Sequence, residues 1–205
     1  MNRFVTQRDI TGSEDMEALD QTVADRTLLE GIARGERAAF QRLYTRQSVR
    51  IFRFLMRLVQ NKATAEELLN EVFLEIWQHA ARYEGRSSPS TWMMAIAHNK
   101  AVSSLRRRRE VTGIDESMPE TADLDDDPEE TAQKQDKGRI MRSCIAALSP
   151  DHREILDLVY YQELSVGEAA EALGIPENTV KTRMFYARKK LSELLKERGV
   201  DRGWP

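Results

Sequence analysis

The chain has 205 residues, 40% hydrophobic and 32% charged, with three Trp and one Cys; that is enough apolar material for one or two folded domains and too much for a wholly disordered chain. The lone Cys144 excludes an internal disulfide. No apolar run approaches the roughly 18 residues that would cross a bilayer.

The first 25 residues carry acids and no apolar stretch of the kind that opens a secretory signal, so a reducing cytoplasm is the expected setting. A formal net charge of −3 conceals a strong segregation along the chain. Residues 1–25 sum to −4, residues 26–110 to +8, residues 111–137 to −8 and residues 138–205 to +1. A basic first domain with an N-terminal extension, an acidic connector and a near-neutral second domain are three different electrostatic objects.

In chain order, "ERAAFQRLYTRQSVRIFRFLMRLVQ" places Phe40, Leu43, Tyr44, Val49, Ile51, Phe52, Leu55 and Leu58 at helical spacing. "NKATAEELLNEVFLEIWQHA" predicts a second helix, opened by a Thr64/Glu67 capping box, with Leu68, Leu69, Val72, Phe73, Ile76 and Trp77 on its core face. Its other face carries Glu67, Asn70, Glu71, Leu74 and Gln78, of which Leu74 is the one apolar residue set towards water. A Gly/Ser/Pro loop, "YEGRSSPS", leads into "STWMMAIAHNKAVSSLRRRR". At about 100° per residue, Met94, Ala97, Ala101 and Leu105 fall on one side of this helix, and Trp92, Ile96, Asn99, Ser103 and Arg106 on the other. Periodicity leaves two readings of the second face. Trp92 and Ile96 pack on a neighbour while Asn99 and Ser103 are merely solvated, or the face touches a ligand. The terminal Arg106, Arg107, Arg108 and Arg109 suit either a solvated helix C-terminus or a phosphate cluster. Residues 111–137 hold ten acids, two prolines and few large apolar side chains, the composition of a flexible linker.

The second domain opens with "LSPDHREILDLVYY", where Ser149 is the N-cap and Pro150 the first helical residue. Downstream, "SVGEAAEALGIPENTVKTRMFYARKKLSELL" has a Ser165/Glu168 capping box, a turn at Gly174 and Pro176 at the start of a second helix. Helix, glycine turn and helix make a DNA-binding helix-turn-helix. On the second helix, Val180, Met184, Ala187, Leu191 and Leu194 form the core stripe. The opposite side collects Asn178, Thr182, Phe185 and Lys189, flanked by Lys181, Tyr186 and Arg188. Exposed aromatics beside cations are uneconomical unless something covers them. Lys181, Thr182, Phe185 and Tyr186 are placed for base edges, and Arg183, Arg188 and Lys189 for phosphates.

No catalytic constellation competes. The three histidines and Cys144 lack metal-ligand spacing, and there is no phosphate-cradling Gly-rich loop or nucleophile elbow. No cofactor, metal, small-molecule substrate or enzymatic activity is expected. The fold class is all-α: two helical domains on a flexible acidic linker.

The two halves together resemble the sigma-70 family of bacterial RNA polymerase sigma factors, of the extracytoplasmic-function (ECF) type. "AEELLNEVFLEIWQHAARYEGRSSPSTWMMAIAHNKAVSSLRRRR" is similar to that family's region 2 and "LSPDHREILDLVYYQELSVGEAAEALGIPENTVKTRMFYARKKLSELL" to its region 4. The resemblance implies region 2 over 26–110 and region 4 over 138–197, leaving a tail, 198–205, outside the motifs. It implies core-polymerase contacts at Glu67, Asn70, Glu71, Leu74 and Gln78. It implies minus-10 recognition and melting by the loop 85–90 and by Trp92, Asn99, Ser103 and Arg106 to Arg109, and minus-35 reading by Asn178, Lys181, Thr182, Arg183, Phe185, Tyr186, Arg188 and Lys189. Many relatives have Arg where this chain has His98 and Asp near Ser103 or Ser104, which implies an unusual minus-10 preference. The implied partners are core RNA polymerase, promoter DNA and an anti-sigma factor. Two rivals are a sigma-like protein that titrates an anti-sigma factor and a stand-alone helix-turn-helix regulator.

Overall fold

Side chains that satisfy free helix-end groups open three of the helices. The computed structural model describes residues 9–112 and 132–200, with side chains over 20–110 and 138–200. Eight α-helices and no strand occur among the described residues: α1 Asp9–Ala33, α2 Arg37–Val59, α3 Lys62–His79, α4 Pro89–Thr112, α5 Ala132–Ala146, α6 Pro150–Leu156, α7 Val166–Leu173 and α8 Glu177–Glu197. The expected capping box of α3 is replaced by an earlier cap. Asn61 accepts from the Thr64 backbone N–H at 2.9 Å, so the helix begins at Lys62, before Thr64 can act as its cap. Ser149 caps α6, and Ser165 and Glu168 form the full reciprocal box on α7. Pro176 is the N-cap of α8, one residue ahead of the expected first helical position. Gly174 ends α7 at φ 64°, a left-handed conformation that costs a residue without Cβ nothing.

Helices α1 to α4 form the first bundle. Leu29, Leu43, Ile51, Phe54, Val72, Ile76, Met93 and Met94 are fully buried there, and Phe40 packs edge-on against Phe73 and Trp77. Burial of each large side chain is worth about 1.5–3 kcal/mol. The expected extension 1–25 is in part a structural element, because α1 runs without a break across residue 25. Asp25 is buried and accepts hydrogen bonds from Arg46 Nε at 2.9 Å and from Gln47.

Helices α5 to α8 form the second bundle around Cys144, Ile155, Leu158, Ala169, Val180, Ala187 and Leu191. After α6 the chain widens into a π-helical turn, Asp157–Tyr161. The expected linker overlaps the end of α4 and the start of α5; its central part, 113–131, lies outside the described residues, as does the tail 201–205 with Trp204.

The two bundles are in direct contact. Arg57 of α2 pairs with Asp157 and lies 4.0 Å over the Tyr161 ring. Arg50 donates to the Gln162 side chain at 2.6 Å and to its backbone carbonyl, and Gln60 donates to the Ala146 carbonyl at 3.1 Å. His98 Nδ1 meets Glu154, and Ser88 and Thr91 donate to Glu168 at 3.1 and 3.2 Å.

Candidate nucleic-acid interface

On α8 the core stripe is turned inward, with Val180 and Ala187 at 0% exposure and Leu191 at 1%. Asn178, Lys181, Thr182, Phe185, Tyr186, Arg188 and Lys189 are all exposed on the remaining surface. Phe185 and Tyr186 stand 58% and 53% exposed, their rings in an edge contact at 5.3 Å. No neighbouring element covers these two large rings, which is the condition expected of a surface awaiting a partner. The Thr182 hydroxyl donates to the Asn178 carbonyl at 2.8 Å, which holds it back against its own helix. Arg183 pairs with Asp151 at 3.0 Å and ties α8 to α6, whereas Lys181 pairs within its own helix with Glu177 at 3.6 Å.

On α4 the two sides separate as the periodicity implies. Met94, Ala97 and Ala101 are buried, while Asn99, Ser103, Arg106, Arg107, Arg108 and Arg109 are exposed. Ile96 is buried on the mixed side. Trp92 is half-buried, with its ring 5.3 Å from Tyr83. Tyr83 in turn donates to the Ser87 carbonyl at 2.6 Å, and Ser88 accepts from the Thr91 backbone N–H at 3.2 Å. The loop before α4 is therefore pinned at both ends, and Trp92 is left partly exposed beside Tyr83.

The outer face of α3 is also open. Leu74 is 55% exposed, between exposed Asn70 and Gln78, with Glu67 exposed a turn earlier. Glu71 is less available, since Lys100 of α4 reaches it at 3.6 Å and Glu75 at 2.9 Å. The hydrogen bond to Glu75 raises the Lys100 pKa, so this ammonium stays charged. Among the described residues, no group of three or more His, Cys, Asp or Glu is placed to hold a metal ion. None of the described helices is long and apolar enough to cross a membrane.

Residues 43–111 match the family model for Sigma-70 region 2, and residues 138–191 match that for Sigma-70, region 4. The chain is 32% identical over 173 residues to the ECF RNA polymerase sigma factor SigK of Mycobacterium ulcerans, covering 82% of this chain and 91% of the relative. It is 32% identical over 179 residues to SigL of Mycobacterium tuberculosis, covering 85% and 98%. The chain belongs to the ECF RNA polymerase sigma factor family. The fold of this sigma factor is similar to that of the sigma factor RpoE from Bartonella quintana, solved in complex with the anti-sigma factor NepR. That likeness has a TM-score of 0.66 at 27% identity over 80% of this chain and 98% of that one. CnrH, solved with the cytosolic domain of CnrY, shares the fold with a TM-score of 0.63 at 23% identity over 85% and 98%.

Sequence reasoning missed the residues at which the two regions of the sigma factor meet. Burial pushes the Asp157 carboxyl up to about 6 against the opposing pull of Arg57. Burial likewise lowers the Arg50 guanidinium, and Arg153 to about 10. Burial also works to raise Glu168, but hydrogen bonds from Ser165, Ser88 and Thr91 outweigh it and hold the carboxyl below its ordinary value. The partners lie 56 to 112 residues apart, so no local pattern could have joined them.

Proposed function

We propose that this ECF sigma factor binds core RNA polymerase, directs it to promoters and assists their melting. It acts in the cytoplasm and catalyses no reaction itself. The outer face of α3, with Leu74 at its centre and Glu67, Asn70, Glu71 and Gln78 around it, docks on polymerase. The α8 face reads the minus-35 element, with Lys181, Thr182, Phe185 and Tyr186 at base edges in the major groove and Arg188 and Lys189 on phosphates. Asn178 sits at the helix start beside the same groove, and Arg183 touches phosphate only by leaving Asp151. On α4, Trp92 stacks on an unpaired base, Asn99 and Ser103 supply edge hydrogen bonds, and Arg106 to Arg109 hold the backbone. By likeness to RpoE, an anti-sigma factor is the partner that holds the protein inactive.

The observation that carries this reading is the uncovered Phe185–Tyr186 pair among cations on a helix-turn-helix, in a chain that also holds region 2. Transcription of fragmented genomic DNA by core polymerase, with and without the purified protein, tests it. New transcripts with fixed start points are the expected result. No new transcripts, with operator-like duplex binding in the absence of polymerase, favours a stand-alone regulator. No DNA response at all, with tight binding to an anti-sigma factor, favours a titrating mimic.

A further inference from the structure

The face of α8 that carries the exposed cations also carries an acid. Helix α8 begins with Glu177, and no further acid follows along it before Glu193. Asn178, Lys181 and Thr182 are its exposed neighbours in the first two turns, and the first residues of a recognition helix are those that meet base edges. At about 100° per residue, Glu177 falls about 40° from Lys181 around the helix and one turn closer to its start. The two side chains are 59% and 60% exposed. The carboxylate is placed from both sides. Its Oε2 lies 3.6 Å from Lys181 Nζ, and its Oε1 faces the first turn of α7, where a Cβ on Gly167 would lie 3.5 Å away. An exposed ion pair of this kind adds little to the fold.

Duplex DNA carries one negative charge per about 1.7 Å of its axis. A carboxylate turned towards it is repelled, so an acid here weakens binding to every sequence except one that offers it a hydrogen. In the major groove those hydrogens belong to the amino groups of cytosine N4 and adenine N6, while guanine presents N7 and O6 as acceptors. Across one G·C pair the groove edge therefore reads acceptor, acceptor, donor. A lysine and a glutamate with charged atoms 3.6 Å apart match that order without separating. An A·T pair in the same orientation sets thymine O4 and its methyl group where the carboxylate needs a donor.

We propose that Glu177 is a specificity-determining residue of the minus-35 contact. Its carboxylate accepts from the N4 amino group of a cytosine, while Lys181, still beside it, donates to N7 and O6 of the guanine in the same base pair. This rests on the proposed function for the placing of α8 in the minus-35 groove.

The test compares the full-length wild type with Glu177→Gln, Lys181→Ala and, towards the other end of the same helix, Glu193→Gln. Promoter templates randomised across the minus-35 element are used twice, transcribed with core polymerase and retained as free duplex on the immobilised protein at low salt. Sequencing of the productive and the retained templates gives the base preference at each position. Wild type should favour G·C over A·T at one pair by about 5- to 150-fold, the range of a good base-edge contact. Glu177→Gln should cut that preference at least about fivefold, at that pair alone, and move it towards A·T, because an amide pairs with N6 and N7 of adenine. Lys181→Ala should relax the same pair, and Glu193→Gln should relax none. Unchanged preferences in Glu177→Gln, with circular dichroism as in wild type, overturn the proposal. So does a uniform fall on every template, or relaxation by Lys181→Ala at a different pair. A wild type that starts no transcript yet retains G·C duplexes, with Glu177→Gln losing them, would refute polymerase-directed initiation and sustain the Glu177 contact, so the two readings fail separately.

Discussion

Tyr186→Ala removes one ring of the exposed aromatic pair on α8. The side chain is 53% exposed and its one recorded ring contact is the edge contact with Phe185 at 5.3 Å. An aromatic pair of this kind is worth about 0.5–1.5 kcal/mol beyond its buried area, and substitution at so open a site costs at most about that much stability. A side chain that reads a base edge carries about 1–3 kcal/mol of discrimination, a factor of about 5 to 150 in relative promoter use. The assay is competition: core polymerase with wild-type or variant protein, transcribing an equimolar mixture of a recognised promoter and copies altered singly across the minus-35 element. Wild type should penalise one altered base pair strongly, and the variant should lose that penalty at that pair alone. A uniform fall on every template would assign Tyr186 to non-specific contact and refute the base-reading argument. A fall in melting temperature matching the lost activity would refute it differently, by showing that the ring supports the fold.

Leu74→Asp should leave stability within about 0.5 kcal/mol, since the side chain is already 55% exposed. It should weaken core-polymerase binding by about tenfold or more, measured by fluorescence anisotropy; unchanged affinity would remove α3 from the interface. Trp92→Ala should cost about 1–3 kcal/mol of stability because the ring is half-buried on Tyr83. Permanganate reactivity of promoter thymines should fall further than that loss accounts for, whereas Trp92→Phe, which keeps a stacking face, should retain much of it. Asp157 has a carboxyl raised from 3.8 to about 6 in the folded protein, so the folded state holds its proton more tightly than the unfolded one. Its contribution is then fully present below about pH 3.8 and is lost as pH rises through 6. The loss totals about 3 kcal/mol at 1.36 kcal/mol per pH unit. Asp157→Asn should flatten that part of the urea-denaturation profile between pH 4 and 7, and an unaltered slope would assign the pH dependence to another group.

The helices themselves were legible because each signal is local. The Ser165/Glu168 box, Ser149 with Pro150, and Gly174 each act over four residues or fewer, and the stripe from Val180 to Leu191 repeats every turn. Asn61 shows how such signals fail: two capping residues stood within three positions, and the earlier one captured the helix start. The exposed face of α8 was legible for the same reason as its core, since one is the complement of the other. The ion pair of Arg183 was not legible because its partner Asp151 sits on a different helix. Helix α1 was missed because the N-terminal acids read as solvated chain, while Asp25 finds Arg46 and Gln47 only in three dimensions. His98 and Glu154 look like surface polar residues in sequence, yet they meet across the two bundles, with Glu154 buried.

The placement of the tryptophans gives this sigma factor a built-in optical reporter. Both described indoles lie in region 2, Trp77 partly buried beside Phe40 and Trp92 against Tyr83 at the start of α4. Region 4 carries tyrosines but no tryptophan over 138–197. With Trp204 changed to Phe, the steady-state emission of the whole chain comes from region 2 alone, and only Trp92 is positioned to be quenched by a stacking base. Promoter opening can therefore be followed in real time on otherwise unlabelled protein, through the same side chain proposed to drive it.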